Sequence, residues 1–292
     1  MKITFFLSLI FSSTLMAQTK IHKVNTLDGL DLEVQEWGNP AGKEIVFIHG
    51  LGQSHLSWML QTNSEILKNF RILTYDLRGH GNSDKPNVAA IYSDGKKWGE
   101  DLDTVIRDSN LKKPVVVGWS LGGYVINNYL SIYGDKKISG IVYVDAVNKM
   151  KAEYFTKENG KLIAPLSAED LKVRSLGIKN FLAACFAIQP SPEDFELMLI
   201  TNAMVPKVVF KGMEELTAVN SDKVLSSIKV PTLIIAGKQD RLMTPAMASY
   251  TQSQVKKSQL VFYEKSGHAP FYEEAERFNE ELKSFMTKLP QN

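Results

Sequence analysis

At 292 residues, with 44% hydrophobic and 23% charged residues, the chain can bury a core large enough for one α/β domain carrying an insertion. A net charge of only +2, with no basic run and no aromatics clustered among lysines, excludes the electrostatic footprint of a nucleic-acid partner. The single cysteine, Cys185, excludes an intrachain disulfide and a cysteine-based metal site; beside Ala183, Ala184 and Phe186 it reads as a small buried hydrophobe.

The chain opens with Lys2, the apolar stretch Ile3 to Phe11, polar Ser12-Ser13-Thr14, and Leu15-Met16-Ala17. This is the pattern of a secretory signal peptide over residues 1–17, cut after Ala17. The apolar part is short for a bilayer span, so the mature product is expected to be secreted or periplasmic, with no stable membrane span. Two alternating runs, Ile21 to Thr26 and Leu32 to Glu36, flank Asp28-Gly29 and predict a hairpin. Glu44 to Ile48 is a continuous apolar strand of the doubly buried type, running into His49-Gly50-Leu51-Gly52.

Residues 54–68 show helical spacing, Phe70 to Tyr75 returns as a strand, and Asp76 to Asp84 is a glycine-rich loop. A helix over Trp98 to Asn110, a strand at Pro114 to Val117, a helix over Leu121 to Tyr133 and a strand at Ile138 to Val144 follow. This alternation predicts a parallel sheet with right-handed crossovers. From Ala146 to Ser227 the rhythm breaks into proline-punctuated helical pieces, read as a helical cap insertion over 146–227 within a core of 18–145 and 228–292. Strands at Val230 to Gly237 and Gln259 to Tyr263, with helices at Pro245 to Gln254 and Phe271 to Met286, complete the core.

Gly118-Trp119-Ser120-Leu121-Gly122 sits where a buried strand hands over to a helix. A serine turned this sharply has a strained backbone and needs small neighbours, which the two glycines provide. In open parallel sheets, functional groups collect at the carboxyl ends of strands, and three such ends carry Ser120, Asp240 and His268 in chain order. Ser120 needs a base to take its proton as it attacks a carbonyl. An imidazole such as that of His268 is the candidate base, able to take the serine proton and return it to a leaving group. Asp240 would orient the imidazole and stabilise the imidazolium, although Asp145, which also ends a strand, is a rival acid.

These motifs, with Asp76-Leu77-Arg78-Gly79-His80-Gly81-Asn82-Ser83, Gly237-Lys238-Gln239-Asp240 and Ser266-Gly267-His268, make the chain resemble an α/β-hydrolase-fold serine hydrolase of the esterase or lactonase kind over everything after residue 20. The resemblance implies a mostly parallel twisted sheet flanked by helices, with a helical cap inserted before the penultimate strands. It also implies an oxyanion hole built from the backbone N–H groups of Leu51 and Leu121. With no His-Glu-x-x-His helix, no paired His/Asp cluster of ligand spacing and no Gly-x-x-x-x-Gly-Lys loop, no cofactor or metal is expected.

His49 reads as a structural part of the oxyanion loop rather than a base, and the Arg78 to Asp84 loop as a support for the sheet edge and the oxyanion loop. His55 is either pocket-lining or at the surface, and His22 and His80 are surface or loop residues. Trp119 either lines the pocket or packs the core. A serine at the nucleophile position sets the chain apart from haloalkane dehalogenases and epoxide hydrolases, which use aspartate. The partner so implied is a small-molecule acyl substrate, a small or medium carboxylic ester, cleaved through an acyl-enzyme. An enol-lactone, a carbon–carbon bond or perhydrolysis on the same triad is the alternative within the class, and a ligand-binding protein on a hydrolase fold is the alternative outside it. Tyr154, Phe155, Phe181 and Phe186 of the insertion either form an apolar lid or pack the insertion onto the core.

Overall fold

In the computed structural model, which describes residues 20–290, the eight apolar segments predicted as strands join one sheet. They are β1 (Lys20–Asn25), β2 (Asp31–Gly38), β3 (Glu44–Ile48), β4 (Arg71–Tyr75), β5 (Val115–Trp119), β6 (Gly140–Val144), β7 (Thr232–Gly237) and β8 (Ser258–Tyr263). The spatial order is β1-β2-β4-β3-β5-β6-β7-β8; β2 runs antiparallel to both of its neighbours, and all pairs from β4 to β8 are parallel. The proposed cut after Ala17 lies outside the described residues. Among those residues, no helix is long and apolar enough to cross a membrane.

The valines and isoleucines of β3, β5 and β6 are fully buried because helices cover both faces of the sheet, as a parallel sheet requires. This covering is also why their sequence reads as continuous apolar runs rather than as alternation. From β3 the chain proceeds to one side through β4 and later to the other through β5, so β3 and β5 flank a topological switch point. Such a crevice is where open α/β sheets bind ligands. The loops leaving β3 and β5 carry His49 to Gly52 and Ser120, respectively.

The segment 54–68 departs from its helical spacing. It forms a 3-10 turn at His55–Trp58 and a single α-turn at Met59–Thr62, after which the chain turns irregularly. Ser64 Oγ accepts the Ile66 N–H, an alternative to helical pairing that serine readily offers. Gln61 is pulled into the core, donating to Phe271 O at 2.8 Å and to Asn279 Oδ1 at 3.1 Å. The apolar residues of this segment serve a different purpose: Trp58 stacks between Phe47 (4.6 Å) and Phe271 (4.4 Å), and Phe271 in turn contacts Trp119 (4.9 Å). An aromatic column thus stands beneath the strand end that carries Ser120.

The last helix is also divided, into Pro270–Glu273 and Ala275–Lys288, with Glu274 leaving the helical region at φ −127° and ψ 51°. Its Oε1 accepts from Ser266 Oγ at 2.7 Å, which ties the break to the loop that carries His268. Residues 146–227 hold the helices Leu171–Ala184, Pro192–Ala203, Lys207–Met213 and Ser221–Ser227, with shorter turns before them and one isolated bridge from Phe155 to Met243.

Candidate active site

Ser120 occupies the turn between β5 and the helix Leu121–Tyr133 with φ 53° and ψ −112°, a strained conformation for a residue with a side chain. Its N–H donates to Val144 O at 3.0 Å, anchoring the turn to the neighbouring strand. The flanking glycines are required by contact. A Cβ on Gly122 would lie 2.6 Å from the carbonyl oxygen of Ile48, and one on Gly118 would lie 2.7 Å from the backbone of Gly122. The close approach of helix to sheet therefore forces the serine outward.

His268 and Asp240 meet. His268 Nδ1–H donates to Asp240 Oδ2 at 2.7 Å, and the other carboxylate oxygen accepts the Leu242 and Met243 N–H groups at 2.6 and 3.1 Å. Because Nδ1 carries the proton, Nε2 is left as an acceptor; it is buried, has no protein partner, and His268 lines the same cavity as Ser120. The histidine loop is held on three sides. Trp119 Nε1 donates to His268 O at 2.6 Å, His268 N–H donates to Cys185 O at 2.8 Å, and Gly267 N–H donates to Glu273 Oε1 at 2.8 Å. Trp119 is thus a packed support with a satisfied N–H, and it does not face the cavity.

Glu273 is a residue that sequence reasoning missed. Its other oxygen accepts the N–H groups of Ala187 and Ile188 at 2.8 and 2.7 Å, so one carboxylate joins the His268 loop to the insertion. Burial raises its pKa, against the lowering effect of those amides. The one signal in sequence is an acid in the first turn after Ala269-Pro270, which reads as ordinary helix capping.

The two buried histidines of the neighbouring loops have tautomers dictated by their donors. Leu77 N–H donates to His49 Nε2 at 3.0 Å, so His49 must carry its proton on Nδ1 and donate it to Gly50 O at 2.8 Å. Gly52 N–H donates to His80 Nε2 at 3.1 Å, and His80 Nδ1–H donates to Arg78 O at 2.9 Å. Burial pushes their pKa values down to about 4 and about 3, which keeps both rings neutral. Together they brace the turn that contains Leu51. His80 is therefore a buried brace rather than a surface residue.

Arg78 donates to both oxygens of Asp101, at 2.6 and 2.7 Å, and Asp84 accepts from Asp31 N–H at 2.9 Å, so the 76–84 loop is tied to the sheet edge. His55 bonds Asp76 at 2.9 Å and does not line the cavity, and His22 contacts Ser109 Oγ at 3.1 Å.

Leu51 and Leu121 line the cavity beside Ser120 and His268. Leu121 is the first residue of its helix, where backbone N–H groups have no intrahelical acceptor. The cavity measures about 200 Å³ and no Asp, Glu, Lys or Arg lines it; its polar lining residues are Ser120, Asn159 and His268. Of the four aromatics proposed as a lid, Phe155 and Phe181 line it. Tyr154 instead stacks on Tyr250 at 5.1 Å, and Phe186 contacts Tyr272 at 5.6 Å. Asp145 stands behind Asp240, with both carboxyl oxygens 3.1 Å from Gly237 N–H. Among the described residues, Asp145, Asp240 and His268 form the group whose ligand-type atoms come close enough to share an ion, within 4.8 Å of one another.

A strand-turn-helix serine at the switch point, a histidine that lines the same cavity and is hydrogen-bonded to an aspartate, and this strand order define a hydrolase of the α/β type. The sequence matches the alpha/beta hydrolase family over residues 45–281, and the chain belongs to that family.

Its fold is similar to a putative aryl esterase from Burkholderia cenocepacia, with a TM-score of 0.89 and 41% identity, covering 92% of this chain and 98% of that one. It is 28% identical over 275 residues to the AB hydrolase superfamily protein YisY of Bacillus subtilis, covering 90% of this chain and 98% of the relative. It is 24% identical over 276 residues to the bifunctional esterase/perhydrolase DCH of Acinetobacter calcoaceticus, covering 90% and 98%.

Proposed function

We propose that the protein is a serine esterase that cleaves a small or medium uncharged carboxylic ester through an acyl-enzyme. The observation that carries this is the Asp240–His268 bond of 2.7 Å, which leaves a free, buried His268 Nε2 in the cavity that Ser120 also lines. His268 Nε2 takes the Ser120 proton as Oγ attacks the ester carbonyl, and Asp240 stabilises the resulting imidazolium. The oxygen that becomes negative is held by the N–H groups of Leu51 and Leu121; a single such donor is worth about 10²–10³ in turnover. The imidazolium then protonates the departing alcohol. Water, deprotonated by the same ring, releases the acid and restores Ser120.

The cavity supports the substrate class. An apolar cavity of roughly 150 Å³ holds a benzene-sized molecule, and this one measures about 200 Å³ with no fixed charge to meet an anionic acyl chain. A short acyl group on an aryl or small alkyl alcohol fits, and the likeness to a putative aryl esterase favours the same class. Perhydrolysis is the second reading, favoured by the relative that combines it with esterase activity. We also propose that residues 146–227 act as the cap that shapes acyl selection, and that the chain is exported with cleavage after Ala17; the mass of the mature N-terminus tests the cut.

The activity test is a panel of p-nitrophenyl esters from acetate to long-chain acyl groups. Turnover is expected on the shortest members, and Ser120→Ala is expected to lose about 10⁴-fold or more. A wild type without turnover on any ester, lactone or peroxide-dependent assay leaves the ligand-binding alternative standing instead.

A further inference from the structure

Asp145 is a buried titratable group to which the mechanism above assigns no part. It follows β6 as Asp240 follows β7, and those strands are paired with Val144 opposite Ile235, so the two acids emerge side by side. The backbone of Asp145 is left-handed, with φ 37°, and its N–H is tied to Ile235 O at 2.9 Å. Holding a non-glycine residue there is costly, and such conformations persist where the surroundings fix them. One N–H, that of Gly237, meets its carboxyl, whereas Asp240 accepts from Leu242, Met243 and His268.

We propose that Asp145 is a positioning residue of the triad and its second acid: it steadies Asp240 against His268, and it stabilises charge on His268 when the Asp240 carboxylate is removed. This rests on the assignment of Ser120, His268 and Asp240 made above. The groups facing Asp145 decide its charge. Burial raises its pKa well above the carboxylate range, the Asp240 and Glu273 charges add to this, and the Gly237 N–H opposes it. That direction favours the neutral acid, which lessens the repulsion between the two adjacent carboxyl groups. Removing the Asp240 charge removes one cause of that shift. With Asp240 removed, Asp145 is the acid that remains beside the ring, with a carboxyl oxygen within 4.8 Å of a His268 nitrogen.

The test compares kcat/KM on p-nitrophenyl acetate for wild type, Asp240→Ala, Asp145→Asn and the double variant, each with a pH profile. Alanine is chosen because asparagine would fill the same place and offer an N–H to His268 Nδ1, imposing the wrong tautomer. Loss of a triad acid with no substitute costs about 10⁴. The result expected is a loss of about 10² for Asp240→Ala, under about tenfold for Asp145→Asn, and about 10⁴ for the double variant. The residual activity of Asp240→Ala should also decline as pH falls through the ionisation of Asp145, a decline absent from the double variant.

An equal factor for Asp145→Asn in both backgrounds, or a full 10⁴-fold loss in Asp240→Ala alone, overturns the proposal while leaving the triad assignment intact. If Asp145→Asn alone abolishes activity, or Asp240→Ala costs nothing, the assignment of Asp240 fails as well. Asp240→Ser, which leaves a hydroxyl for the Leu242 and Met243 amides, repeats the comparison if the alanine variant does not fold.

Discussion

His80 shows how much of this site is built from residues that take no part in chemistry. Its neutral ring accepts the Gly52 N–H and donates to Arg78 O, so the turn bearing Leu51 depends on a ring that stays unprotonated. Removing it by His80→Ala orphans a buried amide, a cost of about 1–3 kcal/mol. Its folded pKa is depressed below the unfolded value. The stability it contributes is therefore present above the unfolded value of 6.5 and is lost as pH falls toward about 3. Denaturant midpoints should show a large gap between wild type and His80→Ala at about pH 7.5 and a smaller one at about pH 4.5. A gap that does not change with pH contradicts this.

At this scale the sequence is informative for Ser120, Asp240 and His268 because each ends a strand or follows one closely. Asp145 is a rival acid there, and Asp240 is preferred for its position after the later strand and for the resemblance of Gly237-Lys238-Gln239-Asp240 to the family motif. That choice is made by loop path: the 2.7 Å bond goes to Asp240 because Leu242 and Met243 hold its carboxylate in place from the following turn.

Among the elements, the serine turn depends on how closely the helix Leu121–Tyr133 approaches β3 and β5. Gly122→Ala would put a methyl 2.6 Å from the Ile48 carbonyl oxygen, a backbone atom that has no rotamer to yield. Overpacking of this kind costs about 1–3 kcal/mol. Because relief comes from displacing the helix start, kcat should fall along with the melting temperature. A variant with lowered stability but wild-type kcat would show that Ser120 is placed independently of this contact.

The paired glycines and the apolar strand make this turn visible in sequence. The segment 54–68 was less so: its spacing matched a helix, but Gln61 and Trp58 are held by partners more than 200 residues away, Phe271 and Asn279. Tertiary packing of that kind overrides a local period. Glu273 was missed for a similar reason, since its carboxylate bonds amides of the insertion that no local pattern points to.

Taken whole, the molecule builds its cavity from two parts of the chain. The sheet brings Ser120 and the His49 to Gly52 loop to one switch point, while the insertion supplies Phe155, Asn159, Ile163 and Phe181 to the cavity wall. Fold class was legible from the strand and helix rhythm because both faces of the sheet are covered, and the cavity was not, because its size depends on how the insertion packs. A volume of about 200 Å³ with an uncharged lining predicts that kcat/KM falls from acetate or butyrate to long-chain esters, and falls further for esters with an anionic acyl tail. Equal rates on short neutral and on anionic esters would contradict this view of the cavity.

The most direct measurement for the central claim is covalent labelling with an organophosphate, followed by peptide mass spectrometry. Serine hydrolysis at this site predicts one phosphoryl adduct, on Ser120, whose stoichiometry tracks the loss of esterase activity and which is absent from Ser120→Ala. Activity lost with the adduct on another residue, or activity that survives full labelling of Ser120, would contradict it.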